Sequence, residues 1–251
     1  MRNTTGFLGL LLLLAGCLWA QRDPANLGEG FDKPLKKTVV DFGASPFYPA
    51  SRHIRKRLTC FYYSAFAVKE YDAGEKGAEW LSIVPSAHCA CTLAHGENEK
   101  VYTSEWSGYF RGAKGKMVFF DASDGDDGGL PFVIFEVGTG RKLFEDSSIL
   151  DYYQKRLHIK EAFQITGGTD PIIRLNYFRV ARAGCNLKFE KAACWNKVRT
   201  DFGITQTDIP VCTGYEHANW DSAIVYPVSV LLTDSPQIRA VDGPVFCWPT
   251  D

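Results

Sequence analysis

Short apolar runs with the alternation of β-strands recur along most of this chain, separated by clusters of Gly, Asp, Asn and Pro that mark turns. Over residues 59–71 the run TCFYYSAFAVKEY is apolar at both alternating sets of positions, the pattern of a strand buried on two sides. Residues 80–84, 116–121 and 132–137 read as further strands. The loop SDGDDGG, 123–129, joins the last two as a hairpin, with Gly supplying positive φ, and Thr139 with Gly140 marks the next reversal. A helical period appears over 189–202, where Cys194, Trp195, Val198 and Phe202 make an apolar stripe opposite Lys188, Lys191, Lys197 and Arg199, and Gly203 ends it. Strand alternation returns over 172–181 and 223–232, the latter with Pro227, which suits an edge strand or a bulge. No repeat of 20 to 50 residues is present. The expected fold class is α+β, predominantly antiparallel β, sandwich or barrel-like, with one short helix.

The first 20 residues stand apart. Arg2 precedes an apolar, Leu-rich run, and the run closes on Leu14, Ala15, Gly16 and Cys17. Gly6, Gly9 and Gly16 argue against a buried helix, and the stretch 7–20 is shorter than the roughly 20 residues that span a bilayer. The segment therefore reads as an export signal, and the LAGC ending resembles the lipobox of bacterial lipoproteins. That resemblance implies a signal peptide over 1–16, lipidation of Cys17, and a lipid partner in the membrane. Because Leu18 is not acidic, it also implies an outer-membrane anchor facing the periplasm. Ordinary cleavage after the small residue Ala20, giving a secreted or periplasmic chain, is the alternative. Residues 21–52, with prolines at 24, 34, 46 and 49, read as an extended tether that becomes ordered near Phe42, followed by one β-rich domain over 53–251.

Composition narrows the function classes. Hydrophobic residues make up 45% and charged residues 23%, a globular balance, and the formal charge of −1 offers no basic stripe for nucleic acid. The cluster His53, Arg55, Lys56 and Arg57 is a solvated face that could at most meet anionic headgroups. Beyond Cys17 lie Cys60, Cys89, Cys91, Cys185, Cys194, Cys212 and Cys247. In an oxidising compartment these imply two bridges among the last four, a third between Cys60 and either Cys89 or Cys91, and one thiol left over.

Candidate chemistry is sparse. HCACTLAH, 88–95, places Cys89, Cys91 and His95 on one face if it is a strand, with His88 opposite, a set able to bind zinc or copper; two cysteines used in packing or a bridge are the plainer reading, and no cofactor is expected. Asp121, Asp124, Asp126 and Asp127 offer oxygen ligands for calcium but lack EF-hand spacing. Trp106, Tyr109 and Phe110, or Trp220, Tyr226 and Trp248, are candidate aromatic platforms. GxSxG, the Walker loop, HExxH and GxGxxG are all absent. The expected function is a cell-envelope binding or structural module for a partner protein, glycan or small ligand. The alternative is an exported hydrolase, metal-assisted through 88–95 or using scattered carboxylates.

Overall fold

The computed structural model describes residues 30–103, 106–167, 173–215 and 220–250, which form two antiparallel sheets that do not close into a barrel. The first is a meander in chain order: β1 (Lys36–Ala44), β2 (Arg55–Tyr62), β3 (Ala67–Asp72), β4 (Trp80–Val84) and β5 (Lys100–Tyr102). The second begins with β6 (Tyr109–Lys114), β7 (Met117–Asp121), β8 (Gly129–Glu136) and β9 (Lys142–Ile149). It continues with β10 (Phe163–Thr166), β11 (Ile173–Arg182), β12 (Ser222–Leu232), β13 (Gln237–Ala240) and β14 (Phe246–Pro249). Its order is β13-β12-β11-β9-β8-β7-β6, with β10 on β11 and β14 on β12. Two helices are described rather than one: α1 (Asp151–Arg156) and α2 (Lys191–Phe202).

Strand alternation makes β7 and β8 the middle of the molecule. Val118, Phe120, Val133 and Phe135 project to one side and pack against Phe61, Val68, Leu81 and Ile83 of the first sheet. Phe119, Phe132 and Ile134 project to the other side and share a second core with Leu175, Tyr177, Ile224 and Tyr226. The second sheet can fold back in this way because β9 and β11 pair only at Ser148 and Arg179. α2 adds Trp195 and Val198 to that core, as the apolar stripe led us to expect, and the Cys185–Cys194 bridge ties it to the end of β11. Gly203 ends the helix at φ +67°, a backbone conformation that disfavours a Cβ.

Four expectations need correction. The run 59–71 is two strands: Tyr63 N–H donates to Phe66 O at 2.8 Å and turns β2 into β3. Exposed Ser64 and Ala65 carry that turn without Gly or Pro, so its signal in the sequence was faint. The stretch read as a tether contains β1, and the order begins earlier still. Phe31 packs edge-on to Phe119 at 5.1 Å, and Asp32 N–H donates to Ala113 O at 2.8 Å. A single inserted ring and an edge strand interleaved with Lys36, Lys37 and Asp41 give no hydrophobic run to read. Pro227 sits neither at a bulge nor in an edge strand. Its carbonyl accepts from Val241 N–H, so the ring nitrogen faces the gap between β13 and β14, where no donor is needed. The lone helix gains α1, too short for a visible period. The 123–129 loop is a hairpin as read: Asp127 and Gly128, at φ +52° and +82°, form a two-residue turn closed by Asp126 and Gly129.

The two layers also meet through a carboxylate. Glu70 of β3 accepts Phe110 N–H of β6 at 2.8 Å. Loss of water around it pushes its pKa from 4.5 to about 7, against the pull of that N–H. The folded chain then binds this proton more tightly than the unfolded chain, so stability falls as pH rises from about 4.5 to about 7. Glu70→Gln keeps an acceptor without the charge, and urea midpoints measured on either side of this window should lose that decline.

Candidate functional site

The most concentrated polar chemistry lies on the outer face of the first sheet, under the loop 85–99. Register aligns Cys60, Lys69 and Ser82 side by side across β2, β3 and β4, on the face turned away from the core. The loop descends on this row and is fixed there by the Cys60–Cys91 disulfide. Lys69 Nζ donates to Ala94 O at 2.9 Å and to Glu99 Oε2 at 3.0 Å. Ser82 Oγ–H donates to Glu99 Oε1 at 2.5 Å, Gly96 N–H to Glu99 Oε2 at 2.8 Å, and His95 Nδ1 lies 3.1 Å from Glu99 Oε1. The Lys69 and Glu99 side chains are only 3% and 1% exposed, so the ion pair sits in protein rather than at a surface.

Burial acts to raise the Glu99 pKa, yet donors from Ser82, Gly96, His95 and Lys69 outweigh it and hold the carboxyl at about 2. The carboxylate is thus an acceptor hub. Ser82 spends its proton on Glu99 rather than facing the imidazole, and His95 binds the same oxygen, so serine and histidine are not in the relay that a nucleophilic hydroxyl requires. Burial also pushes the Cys89 thiol up, with Lys69 pulling the other way, which keeps it protonated near neutral pH. The arrangement holds a loop in place and presents no activated nucleophile.

The structure redistributes the residues singled out from sequence. Segment 88–95 is loop rather than strand, and Cys91 is spent in the bridge to Cys60. The metal set Cys89, Cys91 and His95 is therefore broken: Cys89 is the free thiol and His95 is held by Glu99 and by an edge-on contact to Trp80. No cluster of three metal-ligating side chains occurs among the described residues. The remaining cysteines pair as Cys185–Cys194 and Cys212–Cys247, the two C-terminal bridges expected. The acidic residues separate: Asp121 is buried against Arg111, Asp124 meets Lys76, and Asp126 and Asp127 meet Arg182. Neither aromatic triplet is a platform. Phe110 is core while Tyr109 is exposed, and Tyr226 and Trp248 belong to cores on opposite faces of β12. Cys17 lies outside the described residues.

An aromatic row that the sequence reading missed crosses this outer face. Phe42 of β1 meets the Tyr71 ring at 6.3 Å, Tyr71 stacks on Trp80 at 5.6 Å, and Trp80 meets His95 at 4.7 Å. All four side chains are exposed or half-buried. Lys69 and Glu99 were also missed, although a Lys inside an otherwise apolar strand run was a usable signal.

Lys69→Met leaves the Glu99 charge buried without its cation and should cost about 3 kcal/mol in denaturant unfolding, while Lys69→Met with Glu99→Gln should recover part of it. Because the Glu99 pKa is depressed when folded, its contribution is present above about 4.5 and disappears as pH falls towards 2; Glu99→Gln should flatten that acid limb of the stability curve. Three disulfides fit an oxidising, extracytoplasmic compartment, and no helix among the described residues is long and apolar enough to cross a membrane. Comparison with protein-family models, curated proteins and solved structures finds no match to this chain.

Proposed function

We propose that this chain is an exported, lipid-anchored binding module whose recognition surface is the aromatic row on the outer face of the first sheet. The observation that supports this reading is the row itself. Phe42, Tyr71, Trp80 and His95 lie on three strands and a loop, touch in sequence, and stay accessible although both hydrophobic interfaces of the sheets lie elsewhere. Adjoining rings on a rigid sheet suit an extended ligand, and partly exposed Trp and Tyr are apt partners for the apolar faces of sugar rings. The chemistry under the loop supports binding over hydrolysis: its acid is ionised, its hydroxyl is committed to that acid, and its free thiol is protonated. A clamped loop preorganises the His95 end of the row, which lowers the entropy lost on binding.

Titration of oligosaccharides against Trp fluorescence should reveal a saturable complex, and Trp80→Ala should weaken it at least tenfold with the unfolding midpoint little changed. Absence of binding across a broad glycan panel would sink the carbohydrate assignment. The anchor has a separate readout. Mass spectrometry of the protein extracted from membranes should find lipid-modified Cys17 at the N-terminus, whereas an unmodified chain starting at Gln21 would replace the lipoprotein reading with plain secretion.

A further inference from the structure

We infer that the free edge of β1 pairs with β1 of a second copy of this chain, antiparallel and centred on Val39. β1 is the terminal strand of the first sheet, nine residues long, and among the described residues only β2 pairs with it. An open edge of this length presents unpaired backbone donors and acceptors and is a template for another strand. It also carries exposed apolar side chains: Leu35 just before it and Val39 at its centre on one face, and Phe42 near its end on the other, are 77%, 51% and 37% exposed.

Charge selects the occupant. Lys36 and Lys37 stand at one end of the strand and Asp41 towards the other. Lysines on an edge discourage arbitrary strands, and the strand that answers them is one with an acid four residues beyond a lysine, which β1 itself supplies. A two-fold axis perpendicular to the sheet requires pairing about a residue. Of the centres available in β1, Val39 is the one that sets Lys37 opposite the copy's Asp41 and, by symmetry, Asp41 opposite the copy's Lys37. Val39 then meets its own copy, Thr38 meets Val40, and Lys36 meets Phe42. Centres at Lys37 or Asp41 place like charges together, and parallel pairing does the same. Asp41 already holds Arg55 at 2.5 Å, so in the pair its carboxylate would lie between two cations. A single strand-to-strand contact buries less than the roughly 1,200 Å² of a standard interface, so the dimer is reversible rather than obligate.

Because residue 39 faces itself across the axis, either sign of charge there is self-repelling and the two signs are mutually attractive. Sedimentation velocity of the exported protein, in detergent where the anchor is present, should show reversible dimerisation with rising concentration. Val39→Lys and Val39→Glu should each weaken it at least tenfold, and their equimolar mixture should regain it; the side chain is exposed, so circular dichroism should match the parent. A monomer at every concentration overturns the inference. So does a dimer indifferent to both variants, or a mixture that stays monomeric. A dimer lost with Trp80→Ala but kept with Val39→Lys would move the contact to the aromatic row and overturn it as well. Sugar titration is read independently, so failure of the edge pairing is distinguishable from failure of the recognition surface.

Discussion

The clamp on the outer face of the first sheet is the interaction on which the rest of the molecule's surface depends. A five-stranded meander packed on one side should expose its other side to water, yet Leu58 and Cys60 on that side are fully buried. The loop 85–99 lies against Cys60, and apart from small Ala and Cys side chains its one leucine, Leu93, is 42% exposed and adds little adhesion. A covalent bridge at Cys60 and Cys91 restricts the unfolded chain and brings the loop to the sheet, while the Lys69–Glu99 pair satisfies the charges that the covering buries. Neither device suffices alone: the disulfide leaves orientation open, and an ion pair taken out of water repays its desolvation only when its remaining lone pairs are met, here by Ser82, Gly96 and His95.

The second core uses the same solution on a larger scale. Asp146 lies on the inward face of β9 and accepts from Tyr177 and from Arg179 Nε, while Arg179 also donates to Tyr226 at 3.1 Å. Arg111 bridges Asp121 and Ser148 and lies over the Phe163 ring at 4.4 Å. Burial drives the Tyr177 hydroxyl far above its usual range, which keeps it a donor to Asp146. These groups gather where β9 and β11 share a single pairing, the place where the sheet folds back and the apolar layers leave polar backbone nearby. Polar side chains thus help specify the fold at these two joints, and the apolar clusters supply most of the driving force elsewhere.

These joints bear on function by what they withhold. Serine, histidine, lysine, glutamate and a free cysteine converge under one loop, a composition that suggests catalysis until the hydrogen bonds are followed to their donors. The serine, histidine, lysine and glutamate are committed to holding the loop, and burial keeps the free thiol protonated. The aromatic row beside the clamp and the edge of β1, adjoining surfaces that share Phe42, stay accessible.

By itself the sequence determined what local patterns encode. Alternating apolar runs gave the β-rich class, an i, i+4, i+8 stripe ending at Gly203 gave α2, Asp127-Gly128 gave a hairpin turn, and an odd set of cysteines gave three bridges with one thiol over. Two-sided burial over 59–71 was also legible, since apolar residues at both alternating positions need cover on both sides. Only the tertiary structure decided which cover that was. The partners of Lys69 are 25 and 30 residues away, the inserted Phe31 ring acts on strands some 90 residues later, and the aromatic row is assembled across three strands by their register. Spacing along a chain reports which face a side chain occupies, whereas charge pairing, ring contacts and the choice of Cys91 over Cys89 depend on distances that exist only once the strands are aligned.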